Sequence, residues 1–392
     1  MKGLVRKVAV VGTGQTKHGN RTDVTLEEMA FEAVREALND AGLTRKDIDA
    51  VIFGSGPDAF TGVNCPDQWC VGVAGALNRP YIRVNTGGTT GSAAAVAGYY
   101  HVASGLFDTV LVLCLERMHE SPSTQYIFNT IFDPIYERHF ALNTISMWAM
   151  AATQHMRMYG TTQEHMAKVS VRCHLNALNN PYAHVKMKIT VEDVLNSRML
   201  CYPIKLLDTC PRSDGACAII LASEEKARKI TDTPAWIRGI GCVSDTYFLG
   251  DRPELCYRVQ LALAAKKAAR MARLENLRRQ IQVAEMNNPF TICEMIAIES
   301  VGFCGKGESG KFIDEGIPEM SGELPINPSG GVLCTNPIGA TSLIRVAEAA
   351  LQVMGKAGKR QVPNVENALV QTSGGTIQFG MVMILSRSPP PF

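Results

Sequence analysis

Residues 84–105 read VNTGGTTGSAAAVAGYYHVASG. The stretch predicts the end of a strand, a glycine-rich turn and a helix, because Gly87 and Gly88 come before a run of small residues. A turn of this kind often carries a nucleophile or binds a charged group at the start of its helix. This one contains no Cys and no Asp, Glu, Lys or Arg, and its first His is His101. The turn therefore predicts a site whose usual reactive side chain is missing.

Strands and helices alternate on both sides of this stretch. Strands are predicted over 7–14, 47–56, 107–116 and 214–223, where short apolar or β-branched runs end at glycine or polar residues. Residues 25–42 predict an amphipathic helix that begins after Thr25, has Glu28 in a capping box and ends at Gly42. This alternation is typical of an α/β protein.

The second part of the chain repeats the first. A strand over 235–245, a helix over 259–274, a strand over 279–287, a strand, glycine turn and helix over 324–353, and a hairpin over 367–386 follow in the same order. The repeat predicts an internal duplication, with a helix pair buried between two sheets.

We therefore predict two halves and an insertion. Residues 1–116 with 206–230 form the first half, and 231–392 form the second. Residues 117–205 lack regular alternation, include a helix predicted over 141–160, and are interpreted as a loop insertion that covers the active site.

Composition excludes several classes of partner. The net charge of +2 and the lack of a Lys/Arg patch interleaved with aromatic residues argue against nucleic acid. No apolar run reaches the roughly 18 residues of a membrane span. The 12 Cys form no CxxC pair, so we expect no metal site. Without a secretion signal, we expect reduced thiols and a cytoplasmic protein.

Four stretches in this order resemble the thiolase superfamily: residues 84–105, NNPF at 287–290, NPIGAT at 336–341 and TSGG at 372–375. ESVGFCGKGESGKFIDEG and ELPINPSGG resemble the sterol-carrier-type branch, which works with a small zinc-ribbon/OB-fold partner. That branch includes archaeal acetoacetyl-CoA thiolases, steroid side-chain aldolases and benzoylsuccinyl-CoA thiolase. The resemblance implies a five-layer αβαβα thiolase fold, a homodimer, such a partner, and coenzyme A as substrate or product with no permanently bound cofactor.

The chain departs from the family pattern at three reactive positions. Gly88 matches the nucleophilic Cys, Asn336 matches the His that helps to hold the thioester oxygen, and Thr372 matches a Cys that shuttles protons. Asn287 matches the Asn that holds a water in an oxyanion hole.

Two reactions survive without a nucleophilic Cys. Either CoA attacks the substrate ketone directly, or a base removes a β-hydroxyl proton and a retro-aldol cleavage follows. Both depend on an oxyanion hole, for which we predict the N–H groups of Gly88 and Gly375 with the amides of Asn287 and Asn336. Glycine at position 88 is also expected to leave room for a bulky acyl group.

The acid or base is harder to place. Tyr247 follows the first strand of the second half, where the steroid aldolases resemble this chain, but packing is an alternative. His119 and His139 flank the insertion loop, and either could serve as the base, although a surface or packing role is also open for each. Cys334 lies two residues before Asn336 and is interpreted as a buried apolar side chain.

The resemblance also implies a CoA-binding loop in the insertion. Residues 173–188 offer Asn180, His184, Lys186 and Lys188 for the phosphates or amides of CoA, and a solvated loop face is the alternative.

The predicted activity is thiolysis of a 3-oxoacyl-CoA, with an aryl or branched acyl group such as that of benzoylsuccinyl-CoA, by direct attack of CoA. The alternatives are a retro-aldolase acting on a 3-hydroxyacyl-CoA and a non-catalytic subunit that binds a CoA thioester for a partner.

Overall fold

The computed structural model describes residues 6–140 and 142–391. The predicted half boundaries at residues 1 and 392, and the first residue of the helix predicted over 141–160, lie outside this range. The strands of the described residues are β1 Val8–Gln15, β2 Ala50–Gly54, β3 Tyr81–Val84, β4 Thr109–Arg117, β5 Met199–Cys201, β6 Ile204–Lys205, β7 Asp214–Ser223, β8 Ala235–Ser244, β9 Val283–Met286, β10 Asn367–Gly374 and β11 Phe379–Ser386.

The α-helices of the same residues are α1 Leu26–Ala41, α2 Asp58–Thr61, α3 Asp67–Cys70, α4 Thr90–Ala103, α5 Thr124–Asn129, α6 Thr144–Tyr159, α7 Gln163–Ala177, α8 Val191–Asn196, α9 Glu224–Ile230, α10 Val259–Ala272, α11 Leu277–Gln280, α12 Thr291–Val301, α13 Ser309–Asp314, α14 Gly331–Cys334 and α15 Ile338–Met354. None of these helices has the length and apolar character that a bilayer crossing requires.

Nine strands join in one mixed sheet, in the order β3-β2-β4-β7-β1-β8-β11-β10-β9. The halves meet where β1 pairs with β8, through Ala9 opposite Trp236 and Val10 opposite Ala235. Each half has an antiparallel strand, β7 or β11, inserted next to its first strand. The order β2-β4-β7-β1 of the first half is thus repeated as β9-β10-β11-β8 in the second, which has no counterpart of β3.

Helices cover both faces of each half and form one layer between them. Ala94 of α4 and Leu343 of α15 share a buried core with Val112 of β4 and Val370 of β10, so α4 and α15 lie between the halves. Helix α1 covers the outer face of the first half, and α10 and α12 cover that of the second. This confirms the predicted five layers. Gly91 is required in α4, because a β-carbon there would collide with the backbone of Leu343.

Local signals placed α1 correctly. The Thr25 side chain accepts a hydrogen bond from the Glu28 N–H and the Glu28 carboxylate accepts one from the Thr25 N–H, which completes the capping box. Gly42 ends the helix with a φ of 64°.

One predicted strand is wrong. Around residues 324–330 the chain makes only a single parallel bridge, between Ile326 and Ala284. Pro325 and Pro328 have no N–H to donate to a ladder, and Asn327 turns the chain with a φ of 53°.

The block 117–205 folds into helices that pack on the second half. Trp148 of α6 and Val169 of α7 share a buried cluster with Ile292 of α12 and Leu333 of α14. This packing holds the block over the start of α4 and the end of β10, where it walls a cavity.

Candidate active site

A cavity of about 480 Å³ lies between the insertion and the ends of the central elements. Its wall is largely apolar and aromatic, with Phe60, Phe128, Ile145, Trp148, Phe290 and Ile377 among the lining residues. The four groups predicted to form an oxyanion hole, Gly88, Asn287, Asn336 and Gly375, all line it. The structure therefore brings together residues from four separate stretches of sequence.

Gly88 lies in a 3-10 turn, Gly87–Thr89, immediately before α4. A β-carbon placed on Gly88 would lie 2.7 Å from the carbonyl oxygen of Ser373. Real β-carbons almost never come this close to another atom, and the neighbour is backbone, so a side chain here would force a main-chain shift. The prediction that Gly88 leaves room for a bulky acyl group is therefore wrong, because the end of β10 occupies that space.

The two glycine turns pack directly on each other. A β-carbon on Gly87 would lie 3.0 Å from the nitrogen of Gly375, and one on Gly374 would lie 2.6 Å from the nitrogen of Thr89. Gly87 and Gly375 have φ values of 63° and 67°, a region that glycine enters without strain. The turn after β10 thus places its backbone against the start of α4, at the cavity wall.

Asn287 follows β9 and is fixed through its backbone. Its N–H donates to the Gln371 carbonyl over 2.9 Å. The side chain is only 7% exposed and lines the cavity, and its carboxamide has no hydrogen-bond partner among the described residues. The amide is therefore open to the cavity, where it is suited to bind a ligand oxygen or a water.

Asn336 has a fixed orientation. Its Oδ1 accepts from the Thr341 hydroxyl over 2.9 Å, and its Nδ2 donates to the sulfur of Cys210 over 3.1 Å. The Asn336 N–H donates to Ser213 Oγ over 3.1 Å. The side chain is 7% exposed, so its amide dipole points from α15 towards the cavity wall at Cys210.

Cys210 lines the cavity and was missed by the sequence reasoning, which considered Cys334 instead. Its N–H donates to the Pro289 carbonyl over 2.9 Å, so the segment carrying Cys210 is tied to the segment carrying Asn287. Burial raises the pKa of the Cys210 thiol to about 12, which keeps it protonated at neutral pH. Cys334 is fully buried, as its interpretation requires.

The structure does not bring the predicted acid and base candidates to the cavity lining. Tyr247 is 41% exposed, and desolvation and the nearby Asp133 carboxylate raise the pKa of its phenol. His119 Nδ1 lies 3.0 Å from the buried carboxylate of Asp214. His139 is exposed in a short 3-10 turn of the insertion. Each of these side chains faces a neighbour or solvent, so none is placed for proton transfer in the cavity.

The structure contradicts the CoA-binding role predicted for Asn180. Asn180 is buried, and its Nδ2 donates to the Ser329 carbonyl while its Oδ1 accepts from the Tyr182 N–H. Its amide is used to fold the loop and is not free for CoA.

The other three residues of that loop lie away from the cavity lining. His184 is half-buried and its Nδ1 pairs with Ser213 Oγ at 2.9 Å, and burial lowers the pKa of its ring. Lys186 and Lys188 are exposed. His184, Lys186 and Lys188 all remain predicted contacts of CoA.

Arg212 is a second lining residue that the sequence reasoning missed. Its guanidinium donates to the Thr124 hydroxyl over 3.3 Å, and the side chain is exposed. Among the described lining residues it is the only one with a formal charge at neutral pH. In the same described part of the chain, no group of three or more His, Cys, Asp or Glu is arranged to hold a metal ion.

This chain is similar to known proteins over nearly its whole length. Residues 8–225 match the family described as "Thiolase, N-terminal domain", and residues 241–387 match "Thiolase C-terminal domain-like". The acetyl-CoA acetyltransferase of Methanothermobacter thermautotrophicus is 37% identical, over 98% of this chain and all of that protein. Sterol carrier protein 2 of Oryctolagus cuniculus is 30% identical, over 94% of this chain and 70% of that protein.

Two solved structures superpose on this chain over nearly its whole length. The "Ltp2-ChsH2(DUF35) aldolase" superposes with a TM-score of 0.85 at 28% identity, over 98% of both chains. Human mitochondrial 3-ketoacyl-CoA thiolase in complex with CoA superposes with a TM-score of 0.74 at 18% identity, over 98% of both chains, which shows a shared fold.

Proposed function

This chain belongs to the thiolase family, and from that premise we propose that it makes or breaks the carbon–carbon bond next to a CoA thioester without an acyl-enzyme intermediate. One observation carries the proposal. At the position that the family resemblance assigns to the nucleophile stands Gly88, whose contact with the Ser373 carbonyl leaves no room for a side chain. The family's carbon chemistry must therefore proceed here without a thiolate at the start of α4.

The preferred reaction is thiolysis of a 3-oxoacyl-CoA by direct attack. The sulfur of CoA adds to the ketone carbon, the carbon–carbon bond breaks, and the electron pair moves to the thioester enolate. The N–H groups of Gly88 and Gly375 stabilise one oxyanion at the start of α4, where the helix dipole adds to the effect. The amides of Asn287 and Asn336 serve the other oxygen, directly or through water.

The apolar wall supports an aryl or branched acyl group. Phe128, Trp148 and Phe290 line the cavity, and aromatic side chains favour offset or edge contacts with another ring. The volume of about 480 Å³ is in the range of pockets that enclose small organic ligands.

A retro-aldol cleavage of a 3-hydroxyacyl-CoA is the second candidate. It is favoured by the similarity to the Ltp2-ChsH2(DUF35) aldolase, with a TM-score of 0.85 over 98% of this chain. The same oxyanion hole serves this reaction, because the thioester enolate is the leaving group in both.

We also propose a homodimer that works with a small zinc-ribbon/OB-fold partner. The name of the similar aldolase includes a second component, ChsH2(DUF35), which supports a partner of that kind for this chain.

The deciding experiment is an assay of the purified chain, with and without its partner. It supplies 3-oxoacyl-CoA and 3-hydroxyacyl-CoA thioesters of aryl and branched acids in turn and follows free CoA. Consumption of CoA with the 3-oxo substrate supports thiolysis. Cleavage of the 3-hydroxy substrate alone, without CoA consumption, replaces it with the aldolase. No cleavage or condensation of any thioester leaves a binding subunit and ends the enzyme proposal.

A further inference from the structure

Carbon–carbon cleavage next to a thioester needs a group that moves a proton, and the lining offers few. Of the described residues that line the cavity, only Cys210 and Arg212 have side chains that titrate in water, and none is Asp, Glu, His, Lys or Tyr. An arginine guanidinium stays protonated in proteins and does not exchange its proton during a reaction. Among the described lining residues, Cys210 is therefore the one whose side chain can transfer a proton.

We propose that Cys210 is the proton-transferring residue of this site. The inference rests on the proposed carbon–carbon chemistry, and it assigns that chemistry a catalytic side chain at a position separate from Gly88.

Hydrogen bonds link Cys210 to the two segments that carry the amide groups of the site. Its N–H donates to the Pro289 carbonyl over 2.9 Å, and the preceding residue, Thr209, forms a β-bridge with Phe290. Both bonds tie Cys210 to the segment that begins with Asn287. The sulfur also accepts the Nδ2 hydrogen of Asn336 over 3.1 Å. Two separate segments thus fix the thiol at the wall.

The hydrogen bond from Asn336 also leaves the thiol proton of Cys210 free to move towards the cavity. Because the sulfur accepts from Nδ2, its own hydrogen remains available to an acceptor in the cavity. The same amide hydrogen bond stabilises the thiolate that remains after proton donation. Asn287 is 7% exposed, lines the same cavity and has no side-chain hydrogen-bond partner among the described residues, which is independent evidence that the cavity accepts a polar ligand group.

The proton balance closes for both candidate reactions. The Cys210 S–H bond breaks, and its proton goes to the α-carbon of the thioester enolate. The CoA thiol in thiolysis, or the β-hydroxyl in retro-aldol cleavage, has by then released one proton to water, and water returns one proton to the Cys210 thiolate. Cys210 ends protonated, no electron is gained or lost, and no further reactant is needed.

Cys210→Ala and Cys210→Ser test the proposal against a matched control, Cys201→Ala. Cys201 is another partly buried cysteine, packed against the same apolar cluster as Trp148 and outside the cavity lining. We expect Cys210→Ala to lower kcat by about 10²–10⁴-fold, the usual contribution of a general acid or base. Cys210→Ser should keep part of the activity, and Cys201→Ala should stay within about threefold of the unchanged chain. Melting curves of all three variants show whether folding is intact.

A second readout separates this inference from the proposed function. Acetyl-CoA and phenylacetyl-CoA are incubated with the protein in D₂O, and mass spectrometry follows deuterium at the α-carbon, which requires no carbon–carbon cleavage. We expect exchange with the unchanged chain and a loss of at least about 10²-fold with Cys210→Ala.

Each combination of results has one meaning. Turnover and exchange that survive Cys210→Ala overturn this inference and leave the proposed function standing. Exchange that depends on Cys210 without any cleavage supports the inference and overturns the proposed function. A chain with neither turnover nor exchange overturns both.

Discussion

Gly88 and Ser373 are in backbone contact at the centre of the site: a β-carbon on Gly88 would lie 2.7 Å from the Ser373 carbonyl oxygen. The contact joins the start of α4 to the end of β10 and so brings together one turn from each half of the duplication. It explains in steric terms why this site is built without a side chain at that position.

Gly88→Cys should therefore fail to convert the site into one with a nucleophilic thiolate. We expect Gly88→Cys and Gly88→Ala each to lower the free energy of unfolding by about 1–3 kcal/mol, the usual cost of overpacking. Denaturation of both variants measures this, and Gly88→Ala is the control that separates steric strain from thiol chemistry. A stable Gly88→Cys protein that accumulates an acyl adduct would contradict the steric account.

Asn287→Ala should lower kcat by about 10²–10³-fold, because it removes an unpaired donor from the proposed oxyanion hole. KM for the acyl-CoA should change much less, since the amide acts on charge that develops in the transition state. Steady-state kinetics of this variant beside Asn179→Ala, an exposed asparagine, measure the effect. Equal losses in the two variants would remove Asn287 from the site.

Thr341→Val should lower kcat by roughly tenfold, because the hydroxyl that holds Asn336 Oδ1 at 2.9 Å is lost and one hydrogen bond is worth about 1 kcal/mol. Thr341→Ser retains the hydroxyl and should keep nearly full activity. If the valine and serine variants are equally active, then the orientation of Asn336 does not matter for turnover.

Arg212→Ala should raise KM for the acyl-CoA by about tenfold with little change in kcat, the pattern of a lost contact that binds substrate and transition state equally. Arg212 is the charged side chain at the lining and is suited to an anionic group of the substrate or of CoA. Arg212→Lys keeps the charge and should recover part of the affinity. Unchanged KM in the alanine variant would show that the guanidinium does not contact the substrate.

Glu116 should make the stability of the chain fall as the pH rises. It is fully buried at the end of β4, its Oε2 accepts from the Gly56 N–H over 2.7 Å, and burial raises the pKa of its carboxyl from 4.5 to about 8. Between those two values the folded chain holds a proton that the unfolded chain has released. The free energy of unfolding therefore decreases with rising pH across this window, by at most about 1.4 kcal/mol per pH unit.

Glu116→Gln has no proton to lose and should remove that slope. Denaturation at several pH values between 4.5 and about 8 measures it, with the exposed Glu120→Gln as the control. Parallel stability curves for the unchanged chain and Glu116→Gln would show that Glu116 is already ionised in the folded state.

The fold was predictable because each of its signals is local or repeated. The capping box of Thr25 and Glu28 decides the start of α1 within one turn, and the repeated strand and helix order of the two halves predicts the layers. The prediction failed around Ile326, where the positive φ of Asn327 between two prolines prevents a strand. Such a turn depends on single residues and leaves no periodic pattern in the sequence.

The site was only partly predictable, for a different reason. Gly88 and Asn287 stand at matched motif positions, and the structure places them at one cavity. Cys210 has no motif of its own and reaches the cavity through backbone bonds between distant segments. The closeness of Ser373 to Gly88 is also a long-range contact, so the expectation of extra room could be corrected only in three dimensions.

The most direct test of catalysis without an acyl-enzyme is intact-protein mass spectrometry during turnover, with rapid acid quenching. The protein is mixed with its 3-oxoacyl-CoA or 3-hydroxyacyl-CoA substrate and sampled before and after the first turnover. We predict continued product formation with no acyl mass added to the chain, and sequential kinetics when CoA is a co-substrate. An acyl adduct that forms and decays at the turnover rate on Cys210 or any other of the 12 cysteines, with ping-pong kinetics, would contradict the account.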